Sequence, residues 1–427
     1  MAADDPHLVD ARKNLRRLQR IEAARSGLES FPAGQFGEDY TLRCLHELFE
    51  TTLDGQENYV RRGIYKYERS KEADRLARAE RLIARVEPGP DEDANYFAFL
   101  AYQAASLEMA LQELTKATEE PREWDRILVG TAHSADINAG AKRLADRHYV
   151  RIVVLSGLIE FMYQAAKAIV AAQNPAPSAD GKAIYSTRPL ADDVKAYVAR
   201  NPEPADRLYA TLEAYYFYGY PRAVANEVIA QSHGLVLSAL TGLAERFILG
   251  HEYGHALSVE DVTHPTLNPK WIDELHADSR GMILTVFSAF AFDCFPPELS
   301  LMAVVFALGC LDVRRRAYDV LRTGSERIDE GTETHPPFHL RKAAILEGFF
   351  RYFRPHYVGH RCTGLEFLAD ASGTGRDDEA LVARFEGALQ GADTIFLLWD
   401  AMKQRLVADY NASRPLHKRF RPSEGGA

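Results

Sequence analysis

Apolar residues recur at three- and four-residue spacing along most of the chain, with long charged stretches between them, and this rhythm predicts helices. Residues 1–85 carry it throughout, until "VEPGPDED" (86–93) breaks it. Another amphipathic helix is expected from 94 to about 120, in a stretch rich in good helix formers. Residues 1–125 thus form a helical N-terminal region, either a separate domain or a cap. The texture changes in "HYVRIVVLSGLIEFMYQAAKAIVAAQ" (148–173), where β-branched "VRIVV" reads as a strand that passes through Ser156 and Gly157 into an apolar helix. "NPAPSADGK" (174–182) and "NPEPAD" (201–206) are expected as loops. A long helix is expected from about 235 to 258, and another from "NPKWIDELHAD", where Asn268 and Pro269 supply the start signal. "RTGSERIDEGTETHPP" (322–337) reads as a polar loop, and the remainder as helix up to a frayed "RPSEGGA" tail. The fold class is therefore mainly α with a small mixed β-sheet. A core spans 126–350, and a helical C-terminal region, 351–427, packs on it.

Composition narrows the function. With 427 residues, 46% hydrophobic and 26% charged, the chain is an ordinary globular protein able to bury a sizeable core. A net charge of −10 argues against nucleic acid as partner, and the basic runs at 11–20 and 61–85 alternate with acids at helical spacing, as a solvated face does. The most hydrophobic stretches, 281–292 and 299–311, are shorter than the roughly 18–20 apolar residues of a membrane span, so buried core helices are expected. No integral membrane segment is expected; a peripheral membrane contact stays open, as does the oligomeric state. Cys44, Cys294, Cys310 and Cys362 form no CxxC pair and read as reduced thiols, and the N-terminus has no apolar h-region, so a cytoplasmic location is expected.

The candidate chemistry lies in "HEYGHALSVE" (251–260). On a helix, His251 and His255 at i and i+4 share a face, and two imidazole nitrogens can reach one ion. Glu252 lies just off that face, within reach of a water at the ion. This is the mechanical content of HExxH. Gly254 and Ala256 leave room beside the metal turn. A catalytic zinc site needs a third protein ligand and an open position. Eighteen residues after His255 begins "DELHADSRG" (273–281), which puts Glu274 and Asp278 at i and i+4 on a second helix. Glu274 closes the ligand set, and Asp278 accepts the second N–H of a liganding histidine. Ala277 permits close helix packing, and His276 is the weaker competitor as ligand.

HExxH followed by a helical ExxAD resembles the gluzincin signature, and the chain looks most like the CAAX prenyl endopeptidase family and its bacterial relatives. "INAGAKRLADRHYVRIVVLSGLI" (137–159) resembles that family's Asn-Ala element, and "THPPFHLRKAAI" (334–345) its His-Pro-Pro segment with an arginine six residues on. The similarity covers about 137–346. It implies a zincin-like (gluzincin) metallopeptidase core with one Zn2+ per chain held by His251, His255 and Glu274. It also implies that Glu252 is the base, that Asp278 supports the ligands, and that Arg341 pairs with the acids of the second helix. Asn138 and His335 would lie beside the substrate carbonyl, with His335 as a further catalytic group. The short gap between HExxH and the third ligand resembles soluble gluzincins.

The expected function is zinc-dependent hydrolysis of peptide bonds in a protein or peptide substrate. A strand near 150–155 is expected at the sheet edge over the metal helix, where it would receive extended peptide by strand addition. Two other readings stand beside it. One is a regulatory, gated zinc protease or sensor whose helical N-terminal region binds a specific partner. The other is a non-catalytic helical interaction protein stapled by zinc, although structural zinc usually recruits cysteines and leaves no open position.

Overall fold

The computed structural model describes residues 5–26, 41–50, 69–86, 94–116, 123–144, 148–173, 176–177, 183–184, 191–220, 231–257, 268–293, 295–328, 330–359, 378–417 and 420. The expected helix over 27–40 and 51–68, the breaker at 87–93, most of the 174–182 loop and the 421–427 tail lie outside them.

Four helical stretches come first: α1 (Pro6–Ser26), α2 (within 41–50), α3 (Arg69–Val86) and α4 (Ala94–Thr115). They lead into a small sheet of β1 (Ile127–Ala132), β2 (Ala139–Arg143) and β3 (Val150–Leu155). Helix α5 (Ser156–Ala172) follows β3 directly; then come α6 (Ala191–Arg200), α7 (Glu203–Glu213) and a π-helical turn, Ala214–Tyr218. The site-bearing helices are α8 (Gln231–Ala256) and α9 (Pro269–Asp293), followed by α10 (Pro297–Thr323), α11 (Phe338–Gly359) and α12 (Asp378–Asn411). The molecule is mainly helical with one three-stranded mixed sheet, besides a two-residue ribbon.

The sheet order is β1-β3-β2, with β1 parallel and β2 antiparallel to β3. The strand at 150–155 is therefore central, which corrects the expectation that it forms an edge. Its nearly continuous burial fits a strand covered on both faces and paired on both sides. The outer side of β1 is closed by side chains: Gln19 donates to the Thr131 carbonyl at 2.7 Å, and Arg85 to the Ile127 carbonyl at 3.1 Å. In this three-stranded sheet the open edge is β2.

The hydrogen bonds set which groups β2 presents outward. Leu155 N–H donates to the Asn138 carbonyl and Leu144 N–H to the Tyr149 carbonyl, so positions 138, 140, 142 and 144 face β3. By the alternation of an antiparallel ladder, Ala139, Ala141 and Arg143 turn their N–H and C=O groups away from the sheet.

A second correction concerns "NPEPAD". Instead of a loop, it starts α7, with prolines in the first turn, where their missing N–H groups break no helical hydrogen bond. Asn268 does start α9: its side-chain oxygen accepts the Lys270 N–H at 3.0 Å, and Pro269 opens the helix. The chain leaves α10 through Gly324, at φ 77°, a left-handed conformation that favours glycine, and enters the polar segment that carries His335.

Helices α8, α9 and α10 pack together, with α12 along α10 and α4 against α8 and α9. Phe97, Phe247, Phe306 and Trp399, from α4, α8, α10 and α12, belong to one continuous buried cluster. The two most hydrophobic stretches lie inside α9 and α10, and no helix among the described residues is long and apolar enough to cross a membrane. A buried ionic network stitches the N-terminal helices to this centre. Arg75 of α3 pairs with Glu72 and with Asp293 of α9, while Arg246 of α8 pairs with the same Asp293 and donates to Gln103 of α4. Buried charges persist when paired in this way.

Candidate metal centre

Two helices must nearly touch for this site to exist, and small residues let them. A Cβ added to Gly254 would lie 2.8 Å from the Ala277 Cα, and one added to Gly281 would lie 2.6 Å from the His251 amide nitrogen. Gly250 meets Gly281 in the same seam. Backbone against backbone, α8 and α9 bring the 251–255 and 274–278 turns face to face.

In that seam the Nε2 atoms of His251 and His255 are 3.0 Å apart. Glu274 places Oε2 at 3.5 Å from His251 Nε2 and Oε1 at 3.5 Å from His255 Nε2. One ligand atom from each of the three residues falls within 4.8 Å of the others. His276 is exposed and stands outside this group.

Each imidazole is held from behind. His251 Nδ1 lies 2.9 Å from Asp278 Oδ1, and His255 Nδ1 lies 3.0 Å from Asp273 Oδ2. These contacts orient the two rings so that their Nε2 atoms face each other. Asp273 is a residue that sequence reasoning missed. Two histidines at ligand spacing call for two acceptors, and that count was the available signal.

Asp278 is fully buried and clamped by Arg341 of α11, which donates through Nε at 2.7 Å and Nη2 at 2.6 Å. Burial would raise the carboxyl's pKa, but the guanidinium and His251 hold it well below the usual range. Glu274 is likewise lowered: burial opposes ionisation, and His255, His251, His335 and Arg341 outweigh it. Asp278 and Glu274 are thus held in the ionised form.

Glu252 behaves differently. It is buried, and that burial raises its carboxyl above the ordinary value, opposed by His251, His255 and the Ala141 N–H that it accepts. The edge strand β2 and the HExxH helix are thereby joined at the proposed base.

His335, in the segment before α11, puts Nε2 at 3.5 Å from Glu274 Oε2, while its Nδ1 lies 2.7 Å from Thr334 Oγ1. Asn138 is exposed, at the entry to β2. Asn138 and His335 line one cleft together with His251, Glu252 and Arg341.

The residues fit a divalent cation. The two Nε2 atoms face each other at hydrogen-bonding distance, and the buried Glu274 Oε2 has no hydrogen-bond partner. His251, His255 and Glu274 could together hold such an ion. Two imidazoles and one carboxylate are a donor set of the kind that binds zinc, and His251 also lines the cleft.

No protein-family model, curated protein or solved structure matches the chain. The geometry of this seam is therefore what bears on function.

Proposed function

We propose that the protein is a zinc-dependent peptidase of the gluzincin type, acting on a protein or peptide substrate with Glu252 as general base. One observation carries the reading: the His251–His255–Glu274 cluster reaches, through His251, the cleft that a buried Glu252 also lines, and Glu252 contacts the edge strand β2.

His251, His255 and Glu274 would hold the ion, with Asp278 and Asp273 fixing the imidazole tautomers. Bound there, zinc would polarise the scissile carbonyl and lower the pKa of a water towards about 7. Glu252 takes the proton of the attacking water and passes it to the departing amine nitrogen. Its raised carboxyl suits both halves of that transfer, because a base poised nearer neutrality also returns the proton readily. His335 and Asn138, on the same cleft, are the donors for the developing oxyanion. An extended substrate pairs with the outward groups of Ala139, Ala141 and Arg143, which lays its backbone across Glu252. The bond between Glu252 and Ala141 N–H is then exchanged for one to substrate.

A zinc staple without catalysis has no use for an acid beside the ligands or for a cleft that reaches them. The deciding experiment compares wild type with Glu252→Gln for zinc content and for cleavage of denatured casein. Zinc stays near one per chain in both, and cleavage falls at least about a hundredfold in the variant. A wild type that takes up no zinc when it is offered, or a variant that cleaves as fast as wild type, would overturn the reading.

A further inference from the structure

Beyond Glu252 and His335, the cleft carries a charge that the proposed chemistry does not use. Helix α10 contributes Asp312, Arg314 and Arg315 to its lining, beside the apolar Leu308, Leu311 and Phe338. Three arginines among the described residues line the cleft, and two are fully engaged. Arg341 clamps Asp278. Arg315 holds Asp312 through Nε at 3.2 Å and Nη2 at 2.8 Å, and reaches Asp319 at 3.3 Å. Asp312 is further held by Arg316, so the acid of that wall is already neutralised.

Arg314 differs from both. Its Nη1 donates to the Ile137 carbonyl at 2.8 Å, its Nε is buried without an acceptor, and it has no carboxylate partner among the described residues. A guanidinium offers five donors in a fixed fork suited to two carboxylate oxygens. Among apolar walls its attraction for an anion is screened less than in open water.

Its position relates this charge to the proposed reaction. Ile137, where Arg314 is anchored, leads through Asn138 into β2, and four residues on Ala141 meets Glu252. Along an extended strand that separation is about 13 Å, at roughly 3.3 Å per residue. We infer that Arg314 binds a carboxylate of the substrate, a few residues along an extended peptide from the bond that faces Glu252. The inference rests on the peptidase reading above and specifies its substrate class: peptides that carry an anion at a set distance from the cut. A free C-terminal end and an Asp or Glu side chain present the same group.

The test uses the full chain and a proteome-derived peptide pool in two forms, one with its carboxyl groups intact and one with all of them converted to amides. Wild type is expected to cleave the intact pool about tenfold to a hundredfold faster than the amidated one, the range of a charge-assisted hydrogen bond. Arg314→Gln should cleave both forms at the same slow rate, and Arg314→Lys should recover part of the difference. The map of cuts identifies the source: a constant distance from the chain end marks the C-terminus, and Asp or Glu enriched at one offset marks a side chain. Equal cleavage of both forms by wild type overturns the inference and leaves the peptidase standing. So does an Arg314→Gln variant that slows both forms alike and keeps their ratio, because Arg314 would then act only by holding Ile137. Failure of wild type to cleave either form counts against the peptidase itself. In that case, capture from a mixture of the two forms by Glu252→Gln decides the carboxylate question. Enrichment of intact over amidated peptide that disappears in Glu252→Gln/Arg314→Gln supports it, and no enrichment overturns it.

Discussion

Gly281 and His251 meet backbone to backbone: a methyl group on Gly281 would fall 2.6 Å from the His251 amide nitrogen and 2.9 Å from its Cα. The turn that carries His251 and His255 is therefore positioned by the absence of a side chain on the opposite helix. Gly281→Ala gains up to about 1 kcal/mol of helix propensity. It must also push α9 off α8, an overpacking cost of about 1–3 kcal/mol. Expected are a lower unfolding midpoint and zinc binding weakened at least about tenfold in competition with a chromophoric chelator. Gly242, also on α8, meets nothing closer than 3.7 Å, so Gly242→Ala should stabilise the protein and leave zinc binding unchanged.

The two acids behind the imidazoles should differ in their effect. Asp278 is fully buried and also neutralises Arg341, whereas the Asp273 side chain is 54% exposed. Either Asp→Asn change should weaken zinc binding by about 10–100-fold. Asp278→Asn should in addition destabilise the fold by about 3–5 kcal/mol, because Arg341 is left buried without its carboxylate. Urea unfolding of the zinc-free proteins separates the two effects, and equal stabilities would contradict the assigned role of Arg341.

His335→Ala tests the oxyanion role. The variant is expected to keep its zinc and lose about 10²–10³-fold in kcat with little change in KM. A variant that instead loses zinc would make His335 a support for Glu274, the carboxylate it faces.

Glu245, on α8 two turns before Glu252, predicts a pH dependence. Burial pushes its carboxyl up to about 8, and one of its oxygens is buried without a partner. The folded state therefore holds a proton that the unfolded chain releases near its ordinary value of 4.5. The folded protein is favoured most below that value, loses stability as pH rises from there to about 8, and is level above. Glu245→Gln removes this slope. The stability of the variant relative to wild type should grow from pH 4.5 to 8, by no more than a few kcal/mol, and then stay constant. Glu108, pushed up to about 7 by burial, adds a slope of its own that cancels in this comparison. A difference independent of pH would refute the assignment.

Most helices, and the two short motifs whose residues meet in the seam, were legible because each is local. HExxH and ExxAD each place their residues one turn apart, and Asn268-Pro269 gave the start of α9. The order of the sheet was not legible, because strand pairing joins distant segments. "VRIVVL" was read as an edge although a nearly unbroken apolar run suits a central strand, while the true edge, "AGAKR", has little strand propensity. The first strand, "ILVGTA", is six buried residues without alternation and carries no period to read. Arg314 was missed for a related reason. On α10 it looks like its neighbours Arg315 and Arg316, and only the fold reveals which of them lack acids.

Because Gln19 and Arg85 occupy the far side of the three-stranded sheet, the edge left for another strand among the described residues is β2, and it adjoins Glu252. Whatever takes it, whether a peptide to be cut or a second copy of the chain, sits across the same acid. If Glu252 is the base proposed above, a second copy seated there would exclude substrate, and self-association would compete with turnover.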